Sequence, residues 1–83
     1  MKRAPSLTPR QARLVIELSR TPGAPVRWEI LADAIGEQTT AAGKYRTQGV
    51  VQAVRRKFGR EAIRTAPAGT RAGYYLPRDW SKP

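Results

Sequence analysis

The chain contains neither cysteine nor histidine, and that absence limits its fold more than any motif does. Without thiols there are no disulfide staples and no thiolate metal site. Without imidazole the commonest metal ligand and general base are missing. Eighty-three residues must therefore be held together by apolar packing, and a chain near this size buries only about 60% of its unfolded surface. Hydrophobic residues make up 40% of the sequence, with one Phe, two Trp and three Tyr, enough for one small core and one domain. No apolar run approaches the ~18 residues of a membrane span. Met1-Lys2-Arg3 resembles the start of a signal peptide, but no apolar stretch follows it. The sequence is thus expected to be cytoplasmic. Sixteen Lys and Arg against six Asp and Glu leave a formal charge of +10, which points to a polyanionic partner.

Residues 1–6 read as a flexible basic arm, 7–76 as the folded domain and 77–83 as a tail holding Trp80. Thr8-Pro9-Arg10-Gln11 has the form of a capping box, with Thr8 as N-cap, Pro9 at the first helical position and Gln11 three residues after the cap. Leu14, Val15 and Leu18 then share one helical face. Two prolines and a glycine in Thr21-Pro22-Gly23-Ala24-Pro25 end that helix. Val26 suits a short extended segment. Trp28, Leu31, Ala32 and Ile35 form a second apolar stripe on a helix at about 28–35, which places Trp28 in the core, and Gly36 suits its C-terminal cap. Glu29, Asp33 and Glu37 read as one exposed helix edge, and residues 37–43 as a polar loop.

A third helix is expected at about 45–58, burying Val51, Val54 and Phe58, with Val50 or Thr47 at the margin. Gln48, Gln52 and Arg55 fall on a second, polar face. From Lys44 to Arg60 there are six basic residues and no acid, whereas four of the six acids precede this stretch. Then the period changes. Ala62 to Ala66 and Ala72 to Leu76 flank Pro67-Ala68-Gly69-Thr70-Arg71, the pattern of a β-hairpin with Ile63 and Tyr74 inward and Tyr75 outward. The expected fold is mainly α with a small β-hairpin, a three-helix winged helix-turn-helix.

The third helix carries the chemistry. B-DNA's major groove admits one α-helix and displays a readable pattern of donors and acceptors. Gln48 and Gln52, one turn apart, can each pair with adenine N6/N7. Arg55 can fork onto guanine or grip a phosphate. Lys44, Arg46, Arg55, Arg56 and Lys57 supply phosphate neutralisation. Arg71, on a Gly-flanked turn, suits a minor groove, where a narrow A·T-rich tract attracts arginine, and Arg64 is a second candidate. Enzyme chemistry is not expected. Ser-His-Asp and Cys-His arrangements are impossible without His or Cys. Gly43-Lys44 ends a P-loop-like stretch from Gly36, but six residues separate the glycines and Tyr45 stands where Ser or Thr would ligate Mg²⁺. Neither cofactor nor metal is expected.

In order, Leu7-Thr8, Gln11, Leu14-Val15, Leu18, Pro22-Gly23, Val26 to Leu31, Val51, Val54-Arg55-Arg56-Lys57-Phe58, Ile63-x-Thr65 and Gly73-Tyr74-x-Leu76 resemble the DNA-binding domain of OmpR/PhoB-type response regulators over residues 7–76. The resemblance implies base readout by Arg46, Gln48, Gly49 and Gln52, and backbone contact by Tyr45, Arg55 and Arg56. It implies a transcriptional regulator of bacterial or phage type, associated with the nucleoid, that binds double-stranded DNA. The recognition helix would lie in the major groove and the wing, about 61–76, near the minor groove. It also implies binding as a dimer or tandem pair. The loop at 37–43 would touch RNA polymerase in that family; here, uncharged after Glu37, it reads equally well as a connector. Residues 65–73 exceed the family's tight wing, and no phosphorylated receiver domain accompanies the domain in this sequence. Two alternatives stay open: a winged-helix module that binds RNA polymerase or another regulator, and a non-specific nucleoid-type DNA binder.

Overall fold

The fold is taken from a computed structural model that describes residues 6–66 and 73–79. Local chemistry starts the first helix, α1 (Pro9–Ser19), as the sequence predicts. The Gln11 backbone N–H donates to Thr8 Oγ1 at 3.2 Å, and the Thr8 N–H donates to Gln11 Oε1 at 3.1 Å, so both halves of the capping box are closed. Beyond α1, Gly23 takes φ +81°, a left-handed conformation that only glycine adopts readily. Its N–H donates to the Leu76 carbonyl at 2.6 Å and ties the turn to the far end of the chain.

A two-residue strand β1 (Val26–Arg27) leads directly into α2 (Trp28–Ala34). A Schellman motif closes α2. The Gly36 N–H donates to Asp33 O at 3.1 Å and the Glu37 N–H to Ala32 O at 2.8 Å, with Gly36 at φ +82°. The third helix, α3 (Ala41–Phe58), begins four residues earlier than the expected 45. Thr40 is its N-cap, accepting from the Gly43 N–H at 3.1 Å. Gly43 belongs to the first turn rather than to a loop, and glycine is needed there because the Gln38 carbonyl occupies the space where a Cβ would stand. The expected 37–43 loop therefore shrinks, and Ala41 to Gly43 are helical.

The remaining strands are β2 (Arg64–Thr65) and β3 (Gly73–Tyr75). They pair antiparallel, Arg64 opposite Tyr75 and Thr65 opposite Tyr74. β3 also pairs antiparallel with β1, Val26 opposite Tyr74 and Arg27 opposite Gly73, giving a three-stranded sheet in the order β1-β3-β2. The expected hairpin is thus two strands of a three-stranded sheet. At Gly73 a Cβ would strike the Val26 carbonyl, so the β1–β3 pairing needs glycine there. Three helices and this small sheet make a winged-helix arrangement. Arg71 and Trp80 lie outside the described residues, as does the arm before Ser6.

Every layer contributes to one core: Leu14 and Leu18 from α1, Leu31 from α2, Ile35 just after it, Val51 and Val54 from α3, and Val26, Ile63 and Leu76 from the sheet region. Phe58 and Tyr74 are half-buried against it. Thr47, also buried, satisfies its hydroxyl by donating to Gly43 O at 2.8 Å, one turn back. Trp28 departs from expectation. It sits at the first position of a seven-residue helix whose core side is taken by Leu31 and Ala32, so the indole is half-buried. Lys44 Nζ lies 5.7 Å from its ring centroid. Among the described residues no helix is long and apolar enough to cross a membrane.

Candidate nucleic-acid interface

Helical spacing splits α3 into two ridges. Gly43, Thr47, Val51 and Val54 form the buried one. On the other side Tyr45, Gly49, Gln52 and Arg56 follow one another at intervals of four, three and four residues, with Gln48 beside them, and all are exposed. Tyr45 is 77% exposed, so its aromatic ring stands outside the core. Of the residues expected to read bases, Gln48, Gly49 and Gln52 are thus brought together on one open face.

The basic residues separate by partner. Arg55 is half-buried and turned toward the wing. Its Nε–H donates to the Ile63 carbonyl at 2.9 Å, Nη2 donates to Thr65 Oγ1 at 3.0 Å, and the guanidinium lies 5.6 Å from the Tyr74 ring centroid. It fastens α3 to β2 and β3. Lys57 points the other way, donating to Gln11 Oε1 at 2.7 Å and to the Ser6 carbonyl, which ties the end of α3 to the capping box of α1. Lys44 is exposed beside Trp28. Arg46 is exposed but bridged to Glu37 at 3.2 Å.

Glu37 is not part of an exposed edge, as the sequence suggests. The Schellman turn fixes its backbone, its side chain is only 8% exposed, and its other oxygen accepts from Arg10 at 2.7 Å. One carboxylate therefore joins α1, the α2–α3 connection and α3. Sequence reasoning missed this clamp. Its one local sign was a lone acid just after a C-capping glycine, next to the basic stretch.

Arg56 and Arg60 have no hydrogen-bond or ion-pair partner among the described residues. With Gln52, Arg55, Arg64 and Thr65 they line an open hollow of about 640 Å³ between the second half of α3 and β2. Glu61 also lines it and pairs with Arg64 at 3.4 Å. The hollow thus presents four guanidinium groups against one carboxylate, next to the exposed glutamines. Such an arrangement can neutralise phosphate groups along one strand while the amides of Gln48 and Gln52 reach base edges. No protein-family model, curated protein or solved structure matches the chain.

Proposed function

We propose that the chain is a sequence-specific double-stranded DNA-binding transcriptional regulator, similar to the OmpR/PhoB-type winged helix-turn-helix domains and acting at the nucleoid in the cytoplasm. The observation that carries this reading is the open ridge of α3, with Gln48, Gly49 and Gln52 exposed beside a hollow lined by Arg56, Arg60 and Arg64. In this reading α3 lies in the major groove and Gln48 and Gln52 read base edges. Tyr45, Arg56, Arg60 and Arg64 hold phosphates. Lys44 and Arg46 reach the backbone near the start of the helix, and the wing follows the adjacent minor groove. Arg55 and Lys57 support the surface from behind, since their polar groups are engaged inside the domain.

One module of this size buries only about 600–1,000 Å² on DNA, so two copies on adjacent half-sites supply the specificity. The test is selection of bound sequences from a random duplex pool, followed by titration of the enriched duplex against salt. With about six phosphate contacts, affinity falls roughly 10³-fold between 50 and 200 mM salt. A flat salt response, or equal affinity for enriched and shuffled duplexes, rejects sequence-specific regulation; the second result favours a non-specific packaging role.

A further inference from the structure

Among the described glycines, five have a visible reason within the fold. Gly23, Gly36 and Gly59 take positive φ, and at Gly43 and Gly73 a Cβ would strike a backbone carbonyl. Gly49 has neither reason. It sits inside the unbroken helix α3, its φ is not positive, and apart from its own helix no atom of the described residues lies within 4 Å of where its Cβ would be. Glycine is the poorest helix former after proline, because it surrenders the most backbone freedom. The chain therefore weakens its longest helix at this point with no return visible among the described residues.

The neighbours of Gly49 say what approaches it. Tyr45 and Gln52 stand one turn away on either side along the ridge, and Gln48 adjoins it; all three are exposed. A helix with its side chains is about 10–12 Å across, and the major groove is about 12 Å wide and 8.5 Å deep, so radial room there is scarce. Removing one Cβ lowers the ridge locally by about 1.5 Å, roughly one carbon–carbon bond.

We propose that Gly49 is the point of closest approach, where the α3 backbone itself meets base-pair edges while Tyr45, Gln48 and Gln52 straddle the contact. This inference rests on the duplex-binding reading above and deepens it: at Gly49, among the residues the resemblance gives to base readout, specificity comes from the missing side chain and the approach of the backbone.

The experiment compares the whole chain with its Gly49→Ala variant by thermal unfolding, and by titration with two duplexes. One is the sequence enriched by the wild-type chain from a random 30-bp pool; the other is the unselected pool. The variant is expected to unfold at a temperature higher by about 4–8 °C. It is expected to bind the enriched duplex at least about 10-fold more weakly, because an added methyl overpacks a close contact. Binding to the unselected pool, held by phosphates, should change less than about threefold. Equal affinity of wild type and variant for the enriched duplex overturns the proposal and leaves the DNA reading standing. A variant less stable than wild type also overturns it, since the glycine would then serve the fold. Failure of the wild-type chain to bind any duplex at 50 mM salt removes the DNA reading and this proposal together.

Discussion

Two neighbouring arginines on α3 separate holding the fold from binding a partner. Arg55 donates to a backbone carbonyl and a threonine hydroxyl of the wing, while Arg56 faces the hollow without a partner among the described residues. Arg55→Ala removes two hydrogen bonds from a charged donor and leaves the Ile63 carbonyl without that donor, at a cost of about 1–3 kcal/mol. In a domain of this size that lowers the melting temperature by at least about 4 °C. Arg56→Ala removes no hydrogen bond or ion pair among the described residues, so its stability should stay within about 0.5 kcal/mol of wild type. Its binding to enriched and random duplexes should weaken by about the same factor. Thermal unfolding and titration of both variants check the contrast, and a destabilised Arg56→Ala would contradict the placement of that side chain. Helical periodicity puts Arg55 on the polar face with Gln48 and Gln52, and the resemblance gives both Arg55 and Arg56 to backbone contact; in the fold it is Arg56 that is exposed and Arg55 that turns to the wing. What distinguishes them is the β2 strand packed beside one of them, a contact between residues eight and ten positions apart.

At the scale of the element, what was legible was what is local. The capping box of α1 lies within four residues and forms as read. The glycine after α2 closes its helix through hydrogen bonds that reach only as far back as Ala32. Thr8→Ala should therefore destabilise the chain by about 1 kcal/mol, as loss of an N-cap does. The same bonds involve Gln11, whose side-chain oxygen also accepts from Lys57. A Thr8→Ala, Lys57→Met double-mutant cycle should show a coupling of at least about 0.5 kcal/mol, and strict additivity in unfolding titrations would mean that the two ends of the helices act independently. Tertiary contact decided the features that were not legible. Gly43 reads as the end of a polar loop at 37–43, yet it is a helical residue packed closely against Gln38. Trp28 has the spacing of a core residue, yet a seven-residue helix leaves it at the edge. Val26 reads only as a short extended segment, and the partner of its strand in the sheet lies nearly fifty residues away, beyond the reach of any periodicity. The outward face of α3 was legible in part: the helix period places Gln48 and Gln52 there, but the contact with Ile63 and Thr65 turns Arg55, expected beside them, toward the wing.

Across the whole molecule, salt should act on folding and on binding with opposite signs. Ten positive charges remain uncompensated even if every acid is paired, so the folded chain repels itself. The ion pairs among the described residues each use an arginine whose side chain is at least half exposed, and exposed pairs of this kind contribute only about 0–1 kcal/mol each. Self-repulsion should therefore outweigh them, and screening should relieve it: the free chain is expected to melt at a higher temperature in 200 mM than in 50 mM salt. With saturating enriched duplex the order should reverse. At a duplex concentration near 100 times Kd, binding adds about 2.7 kcal/mol to stability. Weakening Kd by roughly 10³-fold on raising the salt removes nearly all of that increment. Melting curves at both salt concentrations, with and without duplex, check both signs. A free chain that loses stability in salt would mean that the Glu37 clamp on Arg10 and Arg46 outweighs the net charge. A duplex-bound chain that loses none would mean that its affinity does not come from phosphate neutralisation.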